Sequence, residues 1–265
     1  MITYPNPKIN IGLYITEKRD DGFHNLETIF YPIDNKKDKI EIKISTTGKT
    51  TLSVYPKNLT VHSEDNLCLR AYRLLEKDHK LPDLAIMLHK EIPTGAGLGG
   101  GSADAAFVLK MINEVARLHL NNDDLRNYAA KLGSDVPFFI ENRPVFATGR
   151  GEIMEPVELD LSGKTITIVK PPFSISTAEA YSCIIPKKAP VDLREAIRQP
   201  IETWKDVISN DFEKPLFKKY PELEKIKQHL YDSGADYVAM SGSGSAIYAV
   251  GATHERQCKN RSKMF

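Results

Sequence analysis

Between residues 8 and 15 polar and apolar side chains alternate without a break. Ile9, Ile11, Leu13 and Ile15 share one face, while Lys8, Asn10, Gly12 and Tyr14 share the other. A period of two predicts a β-strand, and it points Lys8 and Asn10 the same way. Asp20-Asp21-Gly22 is a turn signal, and residues 26–31 read as the next strand. Lys39–Ile44 alternates again, and 50–55 follows a turn at Gly48, which predicts a hairpin. The period changes to that of a helix over 65–77, and the apolar run 84–88 predicts a buried strand. Helices are expected over 103–118 and 122–132, the second stopped by Gly133, with a short strand at Val145–Thr148 before the turn Gly149-Arg150-Gly151. The second half predicts a strand over 164–169 and helices near 177–184, 201–210 and 221–232. Two paired strands then follow, Tyr237–Met240 and 246–250, across Ser241-Gly242-Ser243-Gly244-Ser245. Strands and helices mix without regular βαβ alternation, which favours an α+β fold.

The connection from strand 84–88 into helix 103–118 changes the picture from fold to chemistry. It reads Pro93-Thr94-Gly95-Ala96-Gly97-Leu98-Gly99-Gly100-Gly101-Ser102-Ala103, with five glycines in seven positions. Such a backbone keeps no side chain between itself and a ligand, and it can turn several N–H groups toward one centre. Running into a helix N-terminus, where unpaired N–H groups and the positive dipole end converge, it predicts an anion site, with phosphate as the guest. Ser102 and Asp104 are available near the start of that helix. Gly95, Gly97 and Gly100 also satisfy G-x-G-x-x-G. The acidic ribose ligand of a dinucleotide site would then fall in Asn121-Asn122-Asp123-Asp124, a polar turn opening another helix. No Gly-Lys-Ser/Thr follows the glycines, and no HRD or DFG triplet occurs, which sets aside a P-loop and a protein kinase.

Composition narrows the partners. The 265 residues suit one large or two moderate domains, and 36 basic against 35 acidic side chains leave no basic field for nucleic acid. Lys36-Lys37-Asp38-Lys39 is expected to be a solvated turn. Three scattered cysteines, Cys68, Cys183 and Cys258, argue against a disulfide framework and a cysteine metal site. Residues 1–12 lack the apolar run of a signal peptide and no stretch approaches a membrane span, so a cytoplasmic protein without a membrane partner is expected. There is no H-E-x-x-H and no G-x-S-x-G, so any metal is expected to arrive with a nucleotide.

Three polar clusters accompany the glycine loop. Lys8, with Asn10 on the same face, is either an exposed strand-edge residue or an ammonium placed to attract phosphate oxygens or to depress a neighbouring group's pKa. Gly133-Ser134-Asp135-Val136-Pro137-Phe138-Phe139 offers a second choice. Ser134 can cap a short helix with Asp135 in its first turn, or Asp135 can accept a hydroxyl proton beside Lys8. Ser241-Gly242-Ser243-Gly244-Ser245 is a plain hairpin turn or a place where backbone approaches a substrate.

The three clusters, in this order, resemble the GHMP small-molecule kinases. The glycine loop is similar to that family's P-x-x-x-G-L-G-G-G-S-A motif. Asn6-Pro7-Lys8-Ile9-Asn10, Asp20-Asp21-Gly22-Phe23-His24-Asn25-Leu26-Glu27-Thr28, Gly133-Ser134-Asp135-Val136-Pro137-Phe138-Phe139, Val169-Lys170-Pro171-Pro172 and Met240-Ser241-Gly242-Ser243-Gly244-Ser245 resemble the branch acting on a cytidyl-diphospho sugar alcohol. The resemblance implies a two-domain GHMP kinase fold. A ribosomal protein S5 domain 2-like ATP-binding half, 1–155, would precede a ferredoxin-like half, 156–265, and nucleotide and substrate would meet in the cleft between domains. It implies transfer of the γ-phosphoryl group of ATP, carried with Mg²⁺, to the substrate's 2-hydroxyl in non-mevalonate isoprenoid biosynthesis, with no tightly bound cofactor. By the same resemblance Asp135 is the base with Lys8 beside it, and ATP lies along residues 93–103. Asn10 and His24 position the substrate, Phe23 and Tyr181 sandwich the cytosine, and Ser241, Gly242 and Ser243 border the substrate. A monomer or weak homodimer is expected. Two departures stand out: Phe23 replaces the usual tyrosine, and the tail from Gly251 to Phe265 is more polar than the family's closing segment.

Overall fold

The computed structural model describes residues 1–34, 36–56 and 65–251. In chain order the elements are β1 (Ile2–Thr3), β2 (Lys8–Lys18), β3 (His24–Pro32), β4 (Lys39–Ile44), β5 (Thr51–Tyr55), α1 (Leu67–Glu76), β6 (Leu84–His89), α2 (Gly100–Val115), α3 (Asn122–Leu132), α4 (Phe138–Glu141), β7 (Val145–Thr148) and β8 (Ile153–Pro156). There follow β9 (Ile166–Val169), α5 (Thr177–Ser182), α6 (Leu193–Ala196), α7 (Trp204–Val207), α8 (Glu213–Lys219), α9 (Pro221–Asp232), β10 (Tyr237–Met240) and β11 (Ile247–Val250). The polar tail beyond Gly251, including Cys258, lies outside the described residues.

The chain packs as two compact units, each assembled from separate segments. Among the described residues, the first holds those within 1–8, 32–94 and 99–143; the second holds 9–31, 95–98 and 144–251. The glycine loop therefore contributes residues 95–98 to one unit and returns to the other at Gly99.

In the first unit a four-stranded sheet has the order β1-β4-β6-β5. β4 runs antiparallel to β6, with Ile42 opposite Ile86, and β5 runs parallel to β6, with Leu52 opposite Ile86. The hairpin expected between Lys39–Ile44 and 50–55 is thus not formed. β6 is the strand whose Leu84, Ile86 and Leu88 are all buried. Placing it centrally gives both neighbours an apolar partner, and the parallel β5–β6 pair then needs a crossover connection, which carries α1. Ala103, Ala105, Ala106, Leu109 and Ile112 of α2 are buried, and α2 packs against α1, α3 and α4.

Helix α2 starts three residues before the sequence predicts. Gly99 adopts the left-handed region with φ 71°, and Gly100 and Gly101 already wind as helix. Its end is also earlier, because Arg117 and His119 take φ of 53° and 58°, which a right-handed helix cannot contain.

In the second unit one sheet has the order β2-β3-β7-β8 and another the order β10-β11-β9, all antiparallel in the latter. The predicted pair 237–240 and 246–250 forms, with Met240 opposite Ile247. α9 packs on β10 and β11, and Leu223, Leu230, Val238, Met240, Ile247 and Ala249 share one apolar core with Leu13, Ile15 and Phe212. The region predicted as one helix over 201–210 is a 3-10 turn at Ile201–Thr203 followed by α7, after which Ile208 is extended.

Candidate active site

The glycine loop is shaped by three left-handed glycines in alternation, Gly95, Gly97 and Gly99, with φ of 65°, 75° and 71°. Residues with side chains adopt that conformation only at a cost of about 1–2 kcal/mol each, so the alternation explains why the loop is written in glycine. In the second unit, residues 95–98 rest on the turn joining β10 to β11. Ser241 Oγ donates to the Gly97 carbonyl at 2.8 Å, and the Ala246 N–H donates to Ala96 at 3.2 Å. A Cβ on Gly97 would meet the Ser241 backbone, so main chain packs directly on main chain at this point. Buried Asn210 holds the second turn by donating to the carbonyls of Met240, at 2.9 Å, and Gly242, at 2.8 Å.

In the first unit, Gly99 caps α2 without a side-chain hydrogen bond, and no acidic residue occupies the first turn of that helix. The 16-residue helix therefore opens with neither a side-chain cap nor an acidic residue of its own in the first turn, a start that suits an incoming phosphate. A Cβ at Gly99 would lie 3.0 Å from the Phe139 ring and 3.2 Å from Cγ of Lys8, so the lysine stem passes directly beside the end of the loop. Lys8 is buried, and its Nζ lies 3.4 Å from Asp135 Oδ2, a carboxylate whose side chain is 34% exposed. Asp135 precedes α4, which begins at Phe138 with Pro137 as N-cap and no side-chain cap, so Ser134 is not the cap of this helix. Lys110 of α2 donates to the carbonyls of Phe139 and Ile140, at 3.0 Å each, and ties the helix after the loop to the segment carrying Asp135. Burial lowers the pKa of Lys110.

A second buried ionic cluster lies under the same helix start. Lys90 donates to Asp38 and, at 2.6 Å, to Asp104 of α2, while Asp38 Oδ1 accepts from the N–H groups of Glu91 at 2.5 Å and Ile92 at 2.8 Å. Asp38 is fully buried, which corrects the expectation of a solvated turn at 36–39, because the carboxylate folds inward to meet Lys90. Asp104 is likewise not a helix cap; burial pushes its carboxyl up to about 8, with Lys90 opposing and Asp38 reinforcing the shift. Its Oδ1 has no hydrogen-bond partner among the described residues, as suits a carboxyl held neutral.

The remaining candidates belong to the second unit. Asn10 is buried and donates to Thr28 Oγ1 at 3.0 Å, and Thr28 donates to the Gly12 carbonyl. The His24 and Tyr181 rings lie 4.9 Å apart with planes tilted by 32°, and Phe212 meets Tyr181 edge-on at 4.9 Å. Desolvation, aided by Lys18, lowers the His24 pKa, which keeps the imidazole neutral at physiological pH with one donor and one acceptor nitrogen. Phe23 is 53% exposed at the β2–β3 turn, with the Arg150 guanidinium over its ring at 4.3 Å.

Comparison with known proteins bears on this arrangement directly. The model of the GHMP kinases N terminal domain matches residues 66–143, and that of the GHMP kinases C terminal domain matches 192–261. A 4-diphosphocytidyl-2-C-methyl-D-erythritol kinase of Bacteroides fragilis is 50% identical over 261 residues, spanning 98% of this chain and 95% of the relative. The chain belongs to the GHMP kinases. The enzyme of the same name from Bacteroides thetaiotaomicron is 49% identical over 252 residues, covering 94% of this chain and 92% of that one. A crystal structure of 4-(cytidine 5'-diphospho)-2C-methyl-D-erythritol kinase superposes with a TM-score of 0.80 at 30% identity, covering 99% of this chain and 94% of that chain. The α+β architecture is that of the GHMP kinase fold. Membership in a kinase family brings ATP as co-substrate. No helix among the described residues is long and apolar enough to cross a membrane.

For a GHMP kinase of this kind the sequence pattern leaves several side chains unannounced. Asp38 sits in a charged run, Lys90 beside a strand end and Asn210 at the end of an expected helix. Each has a partner in a segment between 30 and 54 residues away. Arg150 is visible only as the middle of a turn. Of the two aromatic candidates, Phe23 lies against Arg150, and Tyr181 lies against His24 and Phe212.

Proposed function

We propose that this protein transfers the γ-phosphoryl group of ATP to the 2-hydroxyl of 4-diphosphocytidyl-2-C-methyl-D-erythritol, yielding the 2-phosphate and ADP in non-mevalonate isoprenoid precursor biosynthesis. The observation carrying this choice over other alcohols is 50% identity across nearly the full length of enzymes with that name. The chemistry asks for a proton acceptor, a cation and a phosphate cradle. Supporting it, the Lys8–Asp135 pair at 3.4 Å adjoins, through Gly99, the uncapped start of α2.

In this reading Asp135 accepts the proton of the 2-hydroxyl as its oxygen forms a bond to the γ-phosphorus. The bond from that phosphorus to the bridging oxygen breaks, and the electron pair leaves with ADP. Lys8 offsets charge on the transferred group. Residues 93–103 hold the ATP phosphates, Asn10 and neutral His24 orient the substrate, and Phe23 and Tyr181 take the faces of the cytosine. Ser241, Gly242 and Ser243 border the substrate. Mg²⁺ enters with ATP as part of the substrate. A division at residue 155 into an ATP-binding half and a second half belongs to the same reading, and the two family matches fall on either side of it. A cytoplasmic monomer or weak homodimer completes it.

The test is ADP release with ATP–Mg²⁺ and the cytidyl substrate, beside homoserine, mevalonate and galactose, for the wild type and Asp135→Asn. Turnover on the cytidyl compound alone is expected, with kcat reduced about 10²- to 10⁴-fold in the variant. Preference for another alcohol overturns the substrate, and an unaltered kcat in the variant removes Asp135 from the proton transfer.

A further inference from the structure

Phe23 is an exposed aromatic side chain at the tip of a strand turn, yet its surroundings are unusually determined. Its N–H donates to Asp21 Oδ1 at 3.1 Å, and its carbonyl accepts from the Arg19 N–H at 2.9 Å. Arg19 also clamps the Asp21 carboxylate through Nε and a terminal nitrogen, at 2.9 to 3.1 Å. Asp21 is held below the ordinary carboxylate range first by Arg19 and then by the Phe23 N–H, with the charge of Arg150 adding to both, so the clamp stays ionised at neutral pH. These contacts fix the backbone of Phe23. They leave the χ1 and χ2 torsions of its ring to other contacts, and the guanidinium at 4.3 Å supplies one.

The backbone carrying Arg150 is itself anchored beside that tip. It lies in the turn between β7 and β8, where Gly149 and Gly151 take φ of 66° and 106° and the Gly151 N–H donates to Thr148 at 3.0 Å. The Arg150 N–H donates to Glu152 Oε2 at 2.5 Å. The Gly149 carbonyl accepts from the Leu26 N–H at 2.7 Å, which stitches this turn to β3 three residues beyond Phe23. An arginine on such a mount covers one face of the ring and leaves more than half of the residue's surface open. Arginine suits this duty because its planar guanidinium lies flat on a π-face.

We propose that Arg150 is a positioning residue for substrate specificity: stacked on Phe23, it pre-orients the ring that receives the cytosine. It strengthens binding of the cytidyl substrate without touching the reacting atoms. The inference rests on Phe23 serving as a cytosine platform, as the proposed function has it. Holding the ring before the base arrives lowers the ordering cost of binding, and the effect belongs in KM for that substrate alone.

The experiment is a cycle of Arg150→Ala, Arg150→Lys, Phe23→Ala and the double variant Arg150→Ala/Phe23→Ala, measuring kcat and KM for both substrates. Arg150→Ala is expected to raise KM for the cytidyl substrate about 3- to 10-fold, with kcat and KM for ATP within about 2-fold of wild type. Arg150→Lys recovers part of the loss, and removing Arg150 from the Phe23→Ala protein adds less than about 2-fold, because the two act as one unit. The inference is overturned if Phe23→Ala raises KM while Arg150→Ala does not. It is equally overturned if Arg150→Ala costs the same with and without Phe23, since the guanidinium would then contact the substrate itself. An unchanged KM in Phe23→Ala instead overturns the platform reading, and this inference with it.

Discussion

Replacing Gly97 by alanine tests how the glycine loop is built. The residue has φ 75°, and an added methyl would sit 2.9 Å from the carbonyl carbon of Ser241, closer still to its oxygen, and 3.3 Å from the Gly244 carbonyl oxygen. Left-handed backbone costs a residue with a Cβ about 1–2 kcal/mol. Forcing apart two main-chain segments adds about 1–3 kcal/mol, because neither can swing away as a side-chain end does. The displaced segment also carries the Ser241 hydrogen bond to Gly97. Together these give a loss of roughly 2–5 kcal/mol, hence a drop in Tm of roughly 4–20 °C at about 2–4 °C per kcal/mol. Gly101→Ala is the internal control. Gly101 lies inside α2, and the nearest atom to its added methyl is 3.9 Å away, on Leu67. Alanine there gains about 0.5–1 kcal/mol of helix stability. The assay is thermal unfolding of both variants beside the wild type, with KM for ATP measured in Gly97→Ala, where it is expected to rise about tenfold, equivalent to roughly 1.4 kcal/mol. A Gly97→Ala protein that melts within about 1 °C of wild type, or above Gly101→Ala, would refute the claim that main chain fills the space beside Gly97.

Two further outcomes concern stability. Asp104 binds a proton in the folded protein up to about pH 8, whereas the unfolded chain releases it near pH 4. The folded state therefore holds the extra proton between those values, and stability contributed by this group falls as pH rises from about 4 to 8. Urea midpoints at pH 6 and 8.5 should show a decline that is smaller in Asp104→Asn; an equal decline in both proteins places the titration elsewhere. Asn210→Ala removes two donors and an acceptor that bind the Met240 and Gly242 carbonyls and the Phe212 N–H. It is expected to cost about 2–4 kcal/mol by denaturant unfolding, and a loss below about 1 kcal/mol would mean that the turn holds without it.

Much of the architecture was legible because local chemistry and period agree. The strand at Lys8–Lys18 carries an unbroken alternation over residues 8–15, α3 carries Asn121 and Asp124 as a reciprocal cap, and α9 begins with Pro221 at its first turn. The shape of the glycine loop was legible because positive φ at alternating positions leaves no other residue as economical. Helix ends were less legible, since Gly100 and Gly101 look like loop residues until Gly99 is seen to reverse the backbone.

By itself, then, the sequence determined the α+β class, most strands and helices, and the motif order that marks a GHMP kinase, on which the proposed roles of Lys8, Asp135 and the glycine loop rest. Those follow from side-chain period, backbone freedom and motif order, which are properties of short segments. Only the tertiary structure decided that β6 parts β4 from β5, that Asp38 turns inward to Lys90 and Asp104, that Asn210 holds the second turn, and that Arg150 lies over Phe23. Each of these joins residues dozens to more than a hundred positions apart, or selects among equally patterned strands. Burial and the satisfaction of buried polar groups make such choices, and no local period records them.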